Sequence, residues 1–226
     1  MRGAGNRKRA LLLHGGWEGH QPEQIAKFAA DSLLQGLEIT CSRDLGLLNA
    51  DTLSDISLLV PIWTFGNLTD SQLHALLAAV TDGMGVVSWH GAASSFLKSR
   101  SHKFMLGGQF VGHPGGDKVT YRVELLANDP IVEGLEDFTV TSEQHYLLID
   151  PAIAMTSIVG PDMEWVEGVR MPVAWTRSWG KGRIFYCSLG HTQDVLEIPQ
   201  VLEMLRRAVN WAAKMPLTQT QPERIQ

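Results

Sequence analysis

Six of the eight histidines follow apolar runs or sit among glycines: His14, His20, His90, His113, His145 and His191. An imidazole can donate, accept or carry a proton near neutral pH, and can ligate a metal. His90 has the most telling context. The run Val86-Val87-Ser88-Trp89-His90-Gly91-Ala92 places it at a small-x-reactive-x-small turn, where small neighbours let a strained strand-to-helix turn push one side chain clear of a sheet. Such an elbow normally presents Ser or Cys. An imidazole there suits an acid, a base or a metal ligand, but is a poor covalent nucleophile for amide chemistry. Glu143, two residues before His145, supplies a carboxylate. His90, Glu143 and His113 are therefore the candidate catalytic groups. His14, Trp17, Glu18, His20, Trp63, Gln109, His145, Tyr146 and His191 are candidates to position a substrate.

Aromatic rings beside polar groups suit a sugar, whose C–H faces stack while its hydroxyls form hydrogen bonds. Neutral imidazoles with Glu143 could also hold a divalent cation such as zinc, the candidate ligands being His14, His20, His90, His113 and His191. No motif fixes a cofactor, for HExxH, CxxC and GxxxxGK[ST] are all missing. The pairs Gly107-Gly108 and Gly115-Gly116 lack the strand–GxGxxG–helix context of a dinucleotide site. Each residue also has a plainer reading. A lone histidine is commonly a hydrogen-bonded turn residue, and Trp89 reads as core packing. Convergence of the set on one pocket is the better expectation. His74 and His102 read as ordinary surface residues.

The elements that must position these groups alternate β-α-β-β-α-β-α. Strands are expected over 10–13, 37–41, 55–62 and 84–89. A helix follows Pro22, and a second opens at the Thr69-Asp70-Ser71-Gln72 capping box and stops at Gly83. That alternation predicts an α/β fold with a mostly parallel sheet and helices on both faces. In such a sheet the loops after the strands gather at one edge, where ligands bind. His14, His90 and His191 all end strands, so all three are expected there. Phe104 to Gly116, rich in glycine, reads as a loop. Lys118–Leu126, 138–140, 147–149, 154–159 and 171–176 are strand-like. Gly180-Lys181-Gly182 reads as the turn of a structural β-hairpin with Lys181 solvated at its tip, and Pro199 starts the last helix. One α/β domain over 1–214 and a disordered polar tail over 215–226 are expected.

Composition narrows the class of partner. A formal charge of -5 gives no basic surface for nucleic acid, and no apolar run approaches the roughly 20 residues of a membrane span. The basic start lacks a signal-peptide apolar region. Cys41 and Cys187 form no CxxC and read as buried thiols of a reducing compartment, so a cytoplasmic location is expected. The expected partner is a small molecule, with self-association into a homo-oligomer left open.

With these motifs in view, the chain resembles the ThuA-like (trehalose utilisation) family, whose fold is that of class I glutamine amidotransferases. The resemblance runs from Leu11 to about Trp211. It rests on His14-Gly15-Gly16, on Val87 to Ala92, on Gly107-Gly108-Gln109-Phe110-Val111-Gly112-His113-Pro114, on Glu143-Gln144-His145-Tyr146, and on Pro172 to Trp175 with Gly180 to Tyr186 and Leu189-Gly190-His191. Related members often carry an acid before the Glu, where this chain has Ser142. The resemblance implies a flavodoxin-like fold and a role in bacterial sugar metabolism. The leading expectation is an enzyme acting on a trehalose-like disaccharide or keto-sugar by acid–base chemistry, with or without a metal. The alternative is a sugar-binding or sensing protein without turnover. A glutaminase, which the fold alone would suggest, fails because the elbow carries His90 and neither cysteine lies near an elbow.

Overall fold

The computed structural model describes residues 7–126, 129–159 and 168–217. Its first half follows the alternation: β1 (Arg9–Gly15), α1 (Pro22–Ser32), β2 (Glu38–Ser42), a short α2 (Ala50–Leu53), β3 (Leu58–Trp63), α3 (Asp70–Asp82) and β4 (Gly85–Trp89). The capping box at Thr69 is formed, with the Gln72 side chain accepting from the Thr69 N–H at 2.8 Å. There follow α4 (Arg100–Leu106), β5 (Gly108–Gly112), β6 (Val119–Leu125), β7 (Phe138–Ser142), β8 (Tyr146–Ile149), β9 (Ala154–Val159), β10 (Pro172–Trp179), β11 (Gly182–Cys187), α5 (Gln193–Leu196) and α6 (Pro199–Ala212).

Nine strands make one sheet in the order β2-β1-β3-β4-β11-β10-β9-β6-β7, while β5 and β8 form a separate antiparallel ribbon. The pairs from β2 through β11 are parallel and those beyond β11 antiparallel. The α/β, flavodoxin-like class holds, as does the β10–β11 hairpin. The crossover through α1 steps one way along the sheet and that through α3 the other. Right-handed connections therefore set them on opposite faces. α6 joins the α1 face, its Arg206 donating to the Ser32 carbonyl at 2.9 Å. β1 and β4 are buried almost throughout, as central parallel strands covered on both faces must be. No helix of the described residues is long and apolar enough to cross a membrane.

Three expectations need correction. The segment from Phe104 to Gly116 is a loop only from His113 on, for its first part completes α4 and forms β5, which pairs with β8. Two of its glycines, Gly107 and Gly108, serve close approach. Gly107 caps α4 at φ +88, and a Cβ on Gly108 would stand 2.8 Å from the Trp175 indole, which itself donates to the Leu106 carbonyl. His102 is not a surface residue. The helical period of α4 turns His102, Lys103, Met105 and Leu106 inward while Phe104 faces out. Cys41 is exposed rather than buried, because β2 is the sheet's edge strand and most of it lies open. His74 is on the surface as expected. Of the polar tail, residues 218–226 lie outside the described residues.

Candidate functional site

β4 ends at Trp89, and His90 opens a single 3-10 turn (His90–Ser94) with φ +42, a left-handed conformation that an L side chain adopts only under constraint. Such strain costs about 1–3 kcal/mol and persists where the surroundings over-determine it. Here they do. The Tyr186 hydroxyl donates to the His90 carbonyl at 3.0 Å, and Lys103 Nζ donates to the carbonyls of Ala92 and Ala93 at 3.1 and 3.0 Å. Gly91 must be glycine, since an added Cβ would lie 2.1 Å from Thr64 Oγ1 and 2.9 Å from His20 Nδ1. The small neighbours of the elbow thus let the loop after β3 close over it.

Around His90 the loops converge. Its Nδ1 meets the Ser188 carbonyl at 3.1 Å. A carbonyl only accepts, so Nδ1 carries the hydrogen and Nε2 of the neutral ring is a bare lone pair. Facing that lone pair are His191 Nδ1 at 3.1 Å, His20 Nε2 at 3.3 Å and Glu143 Oε2 at 3.5 Å. Glu143 Oε1 lies 3.3 Å from His191 Nδ1, and Oε2 accepts from His145 Nε2 at 3.1 Å. Thr64 Oγ1 holds His20 Nδ1 at 2.8 Å. Among the described residues, ligand atoms of His20, His90, Glu143 and His191 all lie within 4.8 Å of one another.

Burial dominates the electrostatics. It drives His90 well below the usual imidazole range, with His145, His20 and His191 adding to the effect. His20 falls to about 4 through burial and then His191. His145 is lowered by burial against the opposing pull of Glu143. Burial alone would raise the Glu143 carboxyl. The His145 hydrogen bond, with His191, His145 and His113 nearby, outweighs it and holds the group below its ordinary value. An ionised carboxylate and neutral imidazoles such as those of His20 and His90 are the forms in which these side chains ligate cations.

The sequence matches the ThuA family, described as trehalose utilisation, over residues 9–212. The chain belongs to the ThuA family. Among solved structures, a ThuA-like protein from Parabacteroides merdae superposes with a TM-score of 0.79 at 19% identity, covering 96% of this chain and 94% of that one. A second ThuA-like protein, from Bacteroides uniformis, gives 0.75 at 18% identity, over 92% and 94% of the two chains. A β-galactosidase from Rahnella sp. R3 gives 0.64 at 14% identity, covering 92% of this chain but only 32% of the enzyme. These likenesses establish the fold. No curated protein sequence matches the chain.

Of the residues singled out from the sequence, this ThuA chain brings His20, His90, Glu143, His145 and His191 into one cluster. His113 stands one ring further out, exposed, stacked on Phe110 at 6.0 Å, while Phe110 meets His145 edge-on at 4.8 Å. His14 does not join them. It is buried with Nδ1 unpartnered, and the charges acting on it are Arg43, Glu23 and Glu18. Glu18 pairs with Arg43 at the surface. Trp17 meets His20 edge-on, whereas Trp63 lies against Gly15 and stacks on Phe96. Strand alternation in β5 sets Gln109 on the opposite face from Phe110, and Tyr146 is half-buried at the start of β8. Sequence reasoning missed Thr64, which orients His20, and Tyr121, whose hydroxyl donates to the Glu143 carbonyl at 2.9 Å. Thr64 follows a strand as His90 does, so the strand-end rule could have found it. Tyr121 gives no such signal.

Proposed function

We propose that this ThuA chain is an enzyme of carbohydrate metabolism that works on a disaccharide or keto-sugar by metal-assisted acid–base chemistry. The observation that carries the reading is the acceptor-rich centre at His90 Nε2. One N–H can point at its lone pair, yet two ring nitrogens and a carboxylate oxygen crowd that space. Tetrahedral zinc with bonds of 2.0–2.1 Å would separate its ligand atoms by about 3.3–3.4 Å. The three neighbours of His90 Nε2 lie 3.1 to 3.5 Å from it, and all four ligand atoms lie within 4.8 Å of one another, so a small inward shift of the wider pairs would close the shell. His20, His90, His191 and Glu143 therefore fit a divalent cation, with Ser188 and Thr64 orienting two of the rings from behind. When bound, such a cation supplies positive charge against an alkoxide or enolate developing on the substrate.

The chain's own groups do the rest. His145, wholly buried, holds Glu143 in place through Nε2. His113, exposed at the rim with the Phe110 ring between it and His145, would exchange protons between solvent and a bound substrate. Neither cysteine serves as a nucleophile in this reading. Cys187 is buried in β11 with its thiol pushed up to about 12, and Cys41 lies on the far edge strand. Glutamine hydrolysis is therefore not expected. The expected partner is a small sugar, with neither nucleic acid nor membrane involved, and the expected location is the cytoplasm.

The test starts from protein purified without a histidine tag. Metal analysis should find a divalent cation in near-stoichiometric amount, lost in His191→Ala. An NMR screen of disaccharides and keto-sugars should show turnover that chelation stops and zinc restores. Sugar binding without turnover at any metal loading would leave a binding or sensing protein instead.

A further inference from the structure

Trp17 and Phe65 are 49% and 52% exposed, a large aromatic surface that no packing explains. Their rings lie 6.3 Å apart at 48° and form one bent surface, and Trp17 meets the His20 ring edge-on at 4.7 Å. Both rings are held. The indole lies over Gly19, where a Cβ would come within 2.4 Å of it. Phe65 sits at φ +63 with its carbonyl accepting from the Phe96 N–H at 3.1 Å, and Gly66 follows at φ +77. A bulky residue with positive φ is an outlier. The outlier here fixes a ring that faces solvent, so the strain serves presentation and not packing.

Two fixed, half-exposed rings beside a polar centre match a ligand with one apolar face and a polar rim. A pyranose with equatorial hydroxyls is such a ligand, its axial C–H bonds lining the ring face. The geometry points to Trp17 and Phe65 as a stacking platform for a glucose-type ring, which places the neighbouring unit of a disaccharide or glycoside at His20 and His90. This assignment rests on the carbohydrate reading above and narrows it to glycosides with a gluco-configured ring beside the reacting unit.

Saturation-transfer NMR and calorimetric titration of the full chain with trehalose and methyl α-glucoside test the platform. Saturation should reach the axial C–H protons on one face of the glucose ring, H3 and H5 or H2 and H4, most strongly. Trp17→Ala and Phe65→Ala should each weaken binding about tenfold, the scale of one aromatic stacking contact. Phe65→Tyr should keep it, and all three should show the parent's circular dichroism. His191→Ala should lose metal and turnover but still stack the sugar, which separates this assignment from the chemistry of the cluster. Binding of both sugars unchanged in Trp17→Ala and Phe65→Ala, or no saturation transfer to either sugar, overturns it. So does sedimentation showing that the two variants turn a dimer into monomers, since the rings would then be a subunit contact.

Discussion

The two halves of the sheet contribute different chemistry to the cluster. The parallel half, from β2 to β11, delivers imidazoles: His20 after β1, His90 after β4 and His191 after β11. The antiparallel half delivers the carboxylate and its orienting ring. Glu143 and His145 sit on the short crossing from β7 to β8, far from β4 in strand order. The first group is placed by a general property of α/β sheets, the gathering of strand ends at one edge. The second is placed by one particular connection. The site is the seam between a generic scaffold and a specific graft, and the anion that joins the imidazoles of the cluster comes from the graft alone.

The largest effect should come from removing the graft's charge. Glu143→Gln keeps the size and loses the anion, and turnover should fall by about 10²–10⁴-fold with loss of bound metal, read by metal analysis and sugar turnover. Retention of metal would mean that the imidazoles of the parallel half suffice, which breaks the division of labour. Gly91→Ala attacks the scaffold instead. The new methyl must push on Thr64 and His20, and zinc affinity should drop by roughly 10–100-fold, the usual scale for disturbing a ligand's orienting shell. An unchanged zinc titration would show that the Thr64 contact is dispensable.

A smaller effect concerns the buried Lys103 behind the elbow. Burial lowers its amine from 10.5 to about 7, with no carboxylate among the hydrogen-bond partners of its Nζ in the structure, only the carbonyls of Ala92 and Ala93. Between those two values the unfolded chain holds a proton that the folded chain has released. Stability therefore rises with pH across that window and is lost again as pH falls through 7. Urea unfolding of the parent and Lys103→Met, compared from pH 6 to 10, should show this rise in the parent relative to the variant. Parallel curves would mean that the amine titrates normally. The smallest effect is expected at Lys181, at the exposed tip of the β10–β11 hairpin, where Lys181→Ala should move stability by no more than about 0.5 kcal/mol and leave turnover unchanged. A marked loss of turnover would extend the site to the opposite end of the sheet.

The same division explains what the sequence made legible. Hydrophobic runs closing on a paired His and Gly mark β1, β4 and β11, so the sequence alone places His90 and His191 at one edge. His14 misled because the strand-end rule gives an edge but not a direction. It ends β1 as expected, yet the charges around it are Arg43, Glu23 and Glu18. Glu143 was recognisable as a carboxylate beside a histidine, but nothing local shows that the chain recrosses the sheet after β7. The glycines from 107 to 116 suggested irregular backbone, whereas Gly107 and Gly108 make room for Trp175, a partner distant in sequence. Lys103 and His102 were hidden by a polar neighbourhood that the helical period sorts into two faces.

The position of β11 has a consequence for how the chain reaches this state. It is the last strand among the described residues, yet it lies in the middle of the sheet, pairing with β4 on one side and β10 on the other, and its Tyr186 secures the His90 carbonyl from 96 residues away. Until that segment leaves the ribosome, β4 has an unpaired edge of bare N–H and C=O groups, and the strained elbow lacks a main restraint. High contact order of this kind favours slow closure and leaves a nascent chain open to edge-to-edge aggregation. A chain stopped before Gly182 should therefore accumulate as insoluble, chaperone-bound material rather than as a smaller folded unit.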